Sequence, residues 1–310
     1  MATDWSPPRP CRAPSEVSYC SHMVQAGEVY GSDFGQFPFG QLNRVRPMRR
    51  PSGEAHALVV GVYPSAFHIA WSPPSHLDPR LVTQRARPYI GSLAVDVEPI
   101  VFWNGQSPSP AELLEQWKVG VGFTDEHGIA TVGNNGPSGA GLVVNVLEPL
   151  GLDADDVAFT DAVPWFFVKD GAGSQGEAIR ERFGPIAASI GAAQGSIPKR
   201  PTTRQLVELA NGPLRRDALR AELVEAAEPL VITLGQEALD AIRAVADRCD
   251  GVQVRLAPSD DYGSRGHLVV GGHRMRLLPL VHPGFQRQTA RQDWKEQLKR
   301  WDTSVRNKRD

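Results

Sequence analysis

The stretch HALVVGVYPS, residues 56–65, decides the fold class. Its apolar run is short, contains several β-branched residues and is closed by Gly61 and Pro64. This pattern favours a buried parallel strand that runs into a turn. In open α/β sheets, ligands bind in the loops after the carboxyl ends of such strands. We therefore expect a binding site next to Gly61.

Strand and helix patterns alternate in the rest of the chain. The segments SLAVDVEPIVFW (92–103), VAFTDAVPWFF (157–167), PLVITLG (229–235) and RMRLLPLVHPG (274–284) are predicted strands. Helices are predicted from Pro110 to Trp117, after the glycine-rich GNNGPSGAG (133–141) until Pro149 ends or kinks it, and over 216–229 and 236–249. This order predicts an α/β fold, a three-layer α/β/α sandwich with a central, mostly parallel sheet.

Three regions are predicted along the chain. Residues 1–55 are an irregular arm rich in Pro and Arg, and residues 56–288 form one α/β domain with an insertion at about 70–130. Residues 289–310 form a charged helix and tail. Trp294 and Trp301, seven residues apart, lie on one face of that helix and should dock it onto the domain.

Composition excludes several classes of protein. The 310 residues carry 33 Lys and Arg against 35 Asp and Glu, a net charge of −2, which argues against a bulk nucleic-acid binder but permits one local basic face. No apolar run is long enough to span a membrane, and the first residues lack a secretion signal. The 3 Cys are too few to hold an iron–sulfur cluster alone. We expect a cytoplasmic monomer with no metal, cofactor or membrane partner.

Four segments, in this order, resemble motifs of the uracil-DNA glycosylase superfamily, and the layout is most similar to its iron–sulfur branch, although the cluster cysteines are missing. They are GVYPS (61–65), GPSGAGLVVNVLEPLGLDADDVAFTDAVP (136–164), the stretch 197–239 ending in LGQEAL, and LPLVHPG (278–284). The resemblance implies a fold of that superfamily and a monofunctional DNA glycosylase, which flips a base out of DNA and hydrolyses its N-glycosidic bond to leave an abasic site.

The resemblance also assigns base recognition. Asp161 occupies the position where the family recognises the base with an Asn amide. An ionised carboxylate only accepts hydrogen bonds and therefore suits the exocyclic amine of cytosine. Ser65 occupies the position where the best-known uracil enzymes carry a bulky Tyr, although the iron–sulfur branch also has a small residue there, and it leaves room for a substituent at C5 of the base. Together they indicate a modified cytosine, as in defence against phage DNA, with uracil next. As an alternative, Asp161 is a helix cap or turn residue.

Further side chains are candidates for contact with the base. Tyr63 would line the pocket, with His68 as a second choice. The ring that stacks on the base would come from Phe67, Phe102 or Trp103, because alignment on the glycine-rich stretch puts Asn134 at the family's aromatic position.

The catalytic carboxylate of the family is absent from its usual place, where this chain has Val62 and Tyr63. Either Asp96 or Glu98 has taken over the role, with Asp161 a further candidate, or His282 and backbone dipoles stabilise the developing charge. Alternatively, Asp96 and Glu98 lie on a solvated sheet edge or pair with the arginines of the N-terminal arm, namely Arg44, Arg46, Arg49 and Arg50. His282 itself has the alternative role of a hydrogen-bonded histidine at a strand end.

DNA is the expected partner, and its contacts are also implied by the resemblance. The backbone-facing residues would be Gly61, Pro64, Gly136, Ser138, Pro283, Gly284, Phe285 and Arg287. Phe285 or Gln286 would fill the gap left by the flipped base, and Arg287 would contact a phosphate. A further basic group either touches phosphates or is solvated surface, and consists of Lys199, Arg200, Arg204, Arg215 and Arg216.

Two other functions remain open at this point. One is a silent reader that flips and holds a modified base without cleaving it, which the missing carboxylate at Tyr63 favours. The other is a hydrolase of free nucleosides or nucleotides with the same fold, which would not need Phe285 or the basic loops.

Overall fold

The computed structural model describes residues 48–77, 90–192, 197–226, 230–284 and 292–307. Its strands are β1 (Ala57–Gly61), β2 (Ala66–Ser72), β3 (Ile90–Val97), β4 (Ile129–Val132), β5 (Val157–Asp161), β6 (Leu230–Leu234), β7 (Arg248–Asp250), β8 (Gly266–Val270) and β9 (His273–Leu280). Its α-helices are α1 (Pro110–Val121), α2 (Pro137–Leu142), α3 (Glu148–Leu150), α4 (Gln175–Glu177), α5 (Gly184–Ser189), α6 (Thr203–Ala210), α7 (Pro213–Glu225), α8 (Gln236–Val245) and α9 (Gln292–Arg306). The π-helical turns Val143–Leu147 and Ala178–Phe183 join α2 to α3 and α4 to α5.

The central sheet has six strands in the order β5-β1-β6-β9-β8-β7. Its first four strands are parallel, whereas β8 and β7 are antiparallel to their neighbours. The first strand, β1, lies between β5 and β6, and every one of its residues is buried. The apolar run of residues 57–61 is therefore explained by its central position, as the sequence predicted.

Helices cover both faces of this sheet. Leu58 and Val60 point to the face covered by α6, α7 and α8, and Val59 points to the opposite face. That second face is covered by α2, α3 and α9, and α9 docks through the buried Trp294 and Trp301. The predicted three-layer sandwich and the docking role of the two tryptophans are confirmed.

A second sheet of three antiparallel strands, in the order β3-β2-β4, is inserted between β1 and α2. The sequence predicted β3 but neither β2 nor β4. The segment of β2, AFHIAWS, contains one β-branched residue and is largely buried without a clean alternation, so it carries little of the signal of a strand. It is stabilised from a distance, since Trp71 packs edge-on against Phe183 with ring centroids 5.0 Å apart.

Local signals set the helix ends. Helix α1 begins at Pro110, as predicted, because Ser109 and Glu112 form a capping box. It continues beyond the predicted end to Val121 and stops where Gly122 adopts a φ of 65°. Pro149 does not end its helix, because the preceding residues 143–147 widen into the π-helical turn and the helix continues to Leu150.

Some predictions fall on residues outside the described ranges. These are most of the N-terminal arm, residues 1–47 with Arg44 and Arg46, and residues 285–291 with Phe285 and Arg287. The described end of the arm packs onto the sheet, where Met48 is buried and the backbone of Arg49 pairs with Phe159 of β5. Within the described residues, no helix combines the length and apolarity needed to cross a membrane.

Candidate functional site

A pocket lies at the carboxyl ends of the parallel strands, the place where this topology puts ligand sites. We call it the strand-end pocket. It is lined by residues 61–65 after β1, residues 100–102 after β3, Asp161 at the end of β5 and His282 after β9. The structure therefore brings together segments that are up to 221 residues apart in sequence, from Gly61 to His282.

The floor of the pocket is formed by Gly61 and Asp161, which are neighbours in the register of β1 and β5. A methyl group on Gly61 would overlap Oδ1 of Asp161 and would lie 3.1 Å from Cζ of Phe102. Only glycine permits this close approach. Asp161 is 4% exposed, so its carboxylate is shielded from bulk water.

The end of β5, which carries Asp161, is fixed by the ion pair between Arg215 and Glu222 of helix α7. Arg215 donates through Nη2 to the backbone oxygen of Asp161 at 2.6 Å and through Nε to that of Ala162 at 3.0 Å. The same guanidinium binds both carboxylate oxygens of Glu222, at 2.7 and 2.8 Å. Glu222 also accepts from Oγ1 of Thr160 at 2.7 Å. This network fixes the backbone position from which Asp161 projects.

His282 forms the opposite wall. Its Nδ1 accepts a hydrogen bond from the backbone N–H of Gly284 at 3.0 Å, so the neutral ring carries its proton on Nε2. Burial and, to a smaller extent, the charge of Lys169 lower the pKa of His282 to about 4, while Glu237 acts in the opposite direction. At neutral pH the side chain is therefore an uncharged imidazole that can donate from Nε2.

Phe102 supplies the aromatic wall. Its ring centroid lies 6.4 Å from that of His282, with 31° between the planes, and 6.1 Å from that of Phe159. Its backbone φ is 52°, the one positive value among the described residues other than glycine. A bulky residue in this region is strained by about 1–3 kcal/mol, and such strain concentrates at ligand sites.

Tyr63 lines the pocket and contacts a polar pair formed by Arg200 and Glu237. Its hydroxyl accepts from Nε of Arg200 at 3.1 Å, and the guanidinium of Arg200 lies 5.6 Å from the centre of its ring. Arg200 in turn binds Oε1 of Glu237 at 2.6 Å. Burial raises the pKa of Tyr63, which outweighs the opposite effect of Arg200, so the phenol stays neutral at physiological pH.

The pocket is small in this conformation. Counted as space for the centres of water molecules, its volume is about 20 Å³. One water molecule needs about 10–15 Å³ on this scale, so a pyrimidine enters only if a lining side chain moves. The ring of Phe102 lies over Gly61, so its movement would make this space.

The two carboxylates predicted to be catalytic do not line the pocket. Asp96 lies in β3, where its Oδ1 accepts from the N–H of Val97 at 2.7 Å. Glu98 is buried just beyond β3, and its Oε1 accepts from the N–H of Gly136 at 3.4 Å. Neither carboxylate pairs with Arg49 or Arg50, which bind Asp155 and Glu225 instead. The sequence-based alternative that Asp96 and Glu98 pair with the arginines of the arm is therefore wrong for Arg49 and Arg50.

The glycine-rich stretch has a packing role where a phosphate contact was expected. The N–H of Gly136, at the start of α2, is turned inward to Glu98 and is not presented to solvent. A side chain on Gly136 would lie 2.6 Å from the backbone nitrogen of Gly105, and one on Gly141 would lie 3.3 Å from Cβ of Pro283. Ser138, in the same helix, is half-buried and does not line the pocket.

The other predicted contacts divide into two groups. Pro64 and Ser65 line the pocket, and Pro283 and Gly284 directly support His282 from its C-terminal side. In contrast, four candidates for base recognition do not line it, namely His68, Phe67, Trp103 and Asn134. The rings of Phe67 and Trp103 belong to the core of the inserted sheet, and Asn134 is exposed. Of the three predicted aromatic residues, Phe102 is thus the one that lines the pocket.

The predicted basic group is mostly neutralised by nearby carboxylates. Lys199 pairs with Asp170 at 3.2 Å and Arg204 with Glu208 at 2.8 Å. Arg215 is the clearest departure from the sequence-based expectation, because it is buried and cannot contact a phosphate.

Sequence reasoning missed the Arg215–Glu222 pair and the Arg200–Glu237 pair. A signal existed for the first, since Arg215, Leu219 and Glu222 follow the i, i+4, i+7 spacing of one helix face and Leu219 is apolar. No comparable pattern linked Arg200 to Glu237, which are 37 residues apart and meet through the tertiary fold.

Within the described ranges, no group of three or more His, Cys, Asp or Glu side chains could hold a metal ion.

A scan of protein-family models and a search of curated proteins both find no match to this chain.

Proposed function

We propose that the protein is a DNA glycosylase of the uracil-DNA glycosylase superfamily, which takes a flipped base into the strand-end pocket and hydrolyses its N-glycosidic bond. One observation carries the proposal: an acceptor carboxylate, a neutral imidazole donor and an aromatic ring share a single pocket at the strand ends. These are the groups needed to bind a planar, polar base through its edge and its face.

The two polar walls suit a cytosine-type base. In its ionised form, Asp161 accepts from the exocyclic amine, which uracil lacks. Opposite it, Nε2–H of His282 donates to the ring carbonyl. Ser65 is small and lines the pocket, which leaves space for a substituent at C5. A 5-substituted cytosine, as found in modified phage DNA, is therefore the proposed substrate, with uracil next.

Hydrolysis needs stabilisation of the departing base. The bond between C1′ of the sugar and the ring nitrogen breaks, and its electron pair leaves with the base. Negative charge then develops on the ring carbonyl, where a neutral donor such as His282 strengthens its hydrogen bond. A water oxygen forms the new bond to C1′, and the proton that this water loses passes to the departing base anion. The low pKa of His282 supports this role, because the imidazole needs no protonation to act.

Phe102 is the proposed stacking surface. A ring that moves off Gly61 would open the pocket and present its face to the incoming base. Stacking of a base on an aromatic side chain contributes about 1–3 kcal/mol, which helps to offset the few kcal/mol lost when the base is unpaired.

A specific observation favours a second candidate, a reader that holds the modified base without cleaving it. Among the described residues, Asp161 is the one carboxylate that lines the pocket. If it is engaged with the exocyclic amine, no second carboxylate is placed there to activate water.

The decisive experiment uses oligonucleotides that each carry one uracil, cytosine, 5-hydroxymethylcytosine or glucosylated 5-hydroxymethylcytosine. Abasic sites are cleaved with alkali, and binding is measured in parallel. We expect strand scission at the modified cytosines. Binding without scission would favour the reader, scission restricted to uracil would refute the cytosine assignment, and neither binding nor scission would refute both candidates.

A matched pair of variants tests the role of Asp161. Asp161→Asn should shift preference from cytosine-type to uracil-type bases, because the amide can also donate. Asp96→Asn, the same change on a carboxylate outside the pocket, should leave preference unchanged. Equal effects of the two substitutions would assign Asp161 a structural role.

A further inference from the structure

The antiparallel end of the central sheet carries an uncovered, charged face. Strands β7, β8 and β9 pack their apolar side chains against α7 and the rest of the core on one side. On the other side the exposed side chains are Arg248, Asp250, His267, Arg274 and Arg276. The register places Asp250, His267 and Arg276 in one row across the three strands. We call this surface the β7–β9 face.

The charges on the β7–β9 face do not cancel. Arg248 is neutralised by Asp250 at 2.8 Å. Arg274 and Arg276 form no ion pair or hydrogen bond with any described residue, and neither does Arg265, which precedes β8. Burial lowers the pKa of Arg265, and the charge of Arg276 is close enough to lower it further. Like charges held together without a counter-charge are typical of a surface that binds an anion.

The five predicted phosphate-binding residues show a different distribution. Lys199, Arg200, Arg204 and Arg215 are each bound to a carboxylate of the chain itself, whereas Arg216 forms no ion pair with a described residue. An arginine already paired in this way gains little from a phosphate, because the existing partner must be released. Three unpaired guanidinium groups, in contrast, offer planar donors that match phosphate oxygens.

Strand β9 connects the β7–β9 face rigidly to the strand-end pocket. Arg276 and Arg274 precede Leu280, at the carboxyl end of β9, by four and six residues. With a rise of about 3.4 Å per residue, they lie roughly 14 and 20 Å from that end. The larger distance corresponds to about six base pairs of duplex, given about 34 Å per turn of 10 base pairs.

We propose that the β7–β9 face binds the phosphate backbone of duplex DNA through Arg265, Arg274 and Arg276. The choice of DNA as the polyanion rests on the proposed function, whereas the charge pattern supports an anion-binding surface without it. The face supplies affinity and orientation but no base recognition, because phosphate contacts carry no sequence information.

The salt dependence of duplex binding tests this inference. Each phosphate contact contributes about −0.9 to the slope of log K against log salt. The variant R265Q/R274Q/R276Q should therefore have a slope smaller in magnitude by about 2.7. Over a fourfold change, from about 50 to 200 mM salt, the wild type should lose roughly 40-fold more affinity than this variant. The loss should be the same for every duplex sequence.

The control variant K118Q/R204Q/R306Q removes the same charge from residues paired with Glu115, Glu208 and Asp302. It should keep the wild-type slope, and unchanged thermal midpoints would show that both variants are folded. An unchanged slope in R265Q/R274Q/R276Q, an equal loss in the control, or no duplex binding by the wild type would overturn the inference. Duplex binding with the expected slopes but without base release would uphold the β7–β9 face while refuting the glycosylase, so the two proposals fail separately.

Discussion

Replacing Arg215 with methionine should destabilise the protein strongly, since Arg215 is 4% exposed and its partner Glu222 is 15% exposed. The substitution leaves the Glu222 carboxylate buried without its cation and removes the donors of two backbone oxygens at the end of β5. Breaking a buried ion pair in this way costs about 3–5 kcal/mol. At about 2 °C per kcal/mol for a chain of this size, the thermal midpoint should fall by roughly 6–10 °C.

The double variant Arg215→Met, Glu222→Leu isolates the electrostatic part. It removes the uncompensated charge, and a buried ion pair can be replaced by apolar residues at little net cost, so it should recover at least half of the loss. Arg204→Met is the surface control, because its pair with Glu208 is exposed and should contribute less than about 1 kcal/mol. Urea and thermal unfolding followed by circular dichroism measure all three. A single variant within 1 kcal/mol of wild type, or a double variant no more stable than the single, would refute the reasoning.

Three further predictions concern the pocket and the C-terminal helix. The folded state keeps His282 neutral down to a pKa of about 4, whereas the unfolded chain binds its proton near pH 6.5. Stability should therefore fall as the pH drops from 6.5 to 4, and the urea midpoint of His282→Asn should fall less over that range; parallel curves would contradict the assigned burial. Gly61→Ala should lower the free energy of unfolding by about 1–3 kcal/mol, because the methyl group overlaps the Asp161 carboxylate. It should also abolish binding of the modified base. A thermal midpoint and base affinity equal to wild type would show that the floor is not close-packed. Trp301→Ala should cost about 3–5 kcal/mol in urea unfolding, since Trp301 is buried beneath α9, and a loss below 1 kcal/mol would mean that α9 is not a structural part of the sandwich.

The central sheet and the meeting of the strand ends were predictable from the sequence. An apolar run such as residues 57–61 has few alternatives to a central parallel strand, and the βα alternation then brings the carboxyl ends of successive strands to one edge. Gly61, Asp161 and His282 therefore converge for topological reasons alone. Strand β2 was not predictable in this way, because it depends on pairing with β3 and β4 and on packing against the π-helical turn that carries Phe183, more than 100 residues downstream.

The identity of the aromatic wall was also beyond the sequence. Phe67, Phe102 and Trp103 are similar in residue type, and only the left-handed backbone at Phe102 turns one of these rings to the pocket. The charged residues show the same limit. Glu98 was grouped with Asp96 by spacing, yet the chain turns after β3 and carries Glu98 into the interior. Pairing decides whether a charged side chain is available for a ligand, and pairing depends on residues distant in sequence.

The strand-end pocket joins two separately built parts of the molecule. Asp161 ends β5 of the central sheet and His282 follows its strand β9, whereas residues 100–102 follow β3 of the inserted sheet. Changes in the insertion can thus reshape one wall of the pocket without disturbing the strand ends that carry Asp161 and His282. Under the proposed function, substitutions in residues 100–102 should alter which bases enter the pocket, which makes this segment the place to engineer selectivity.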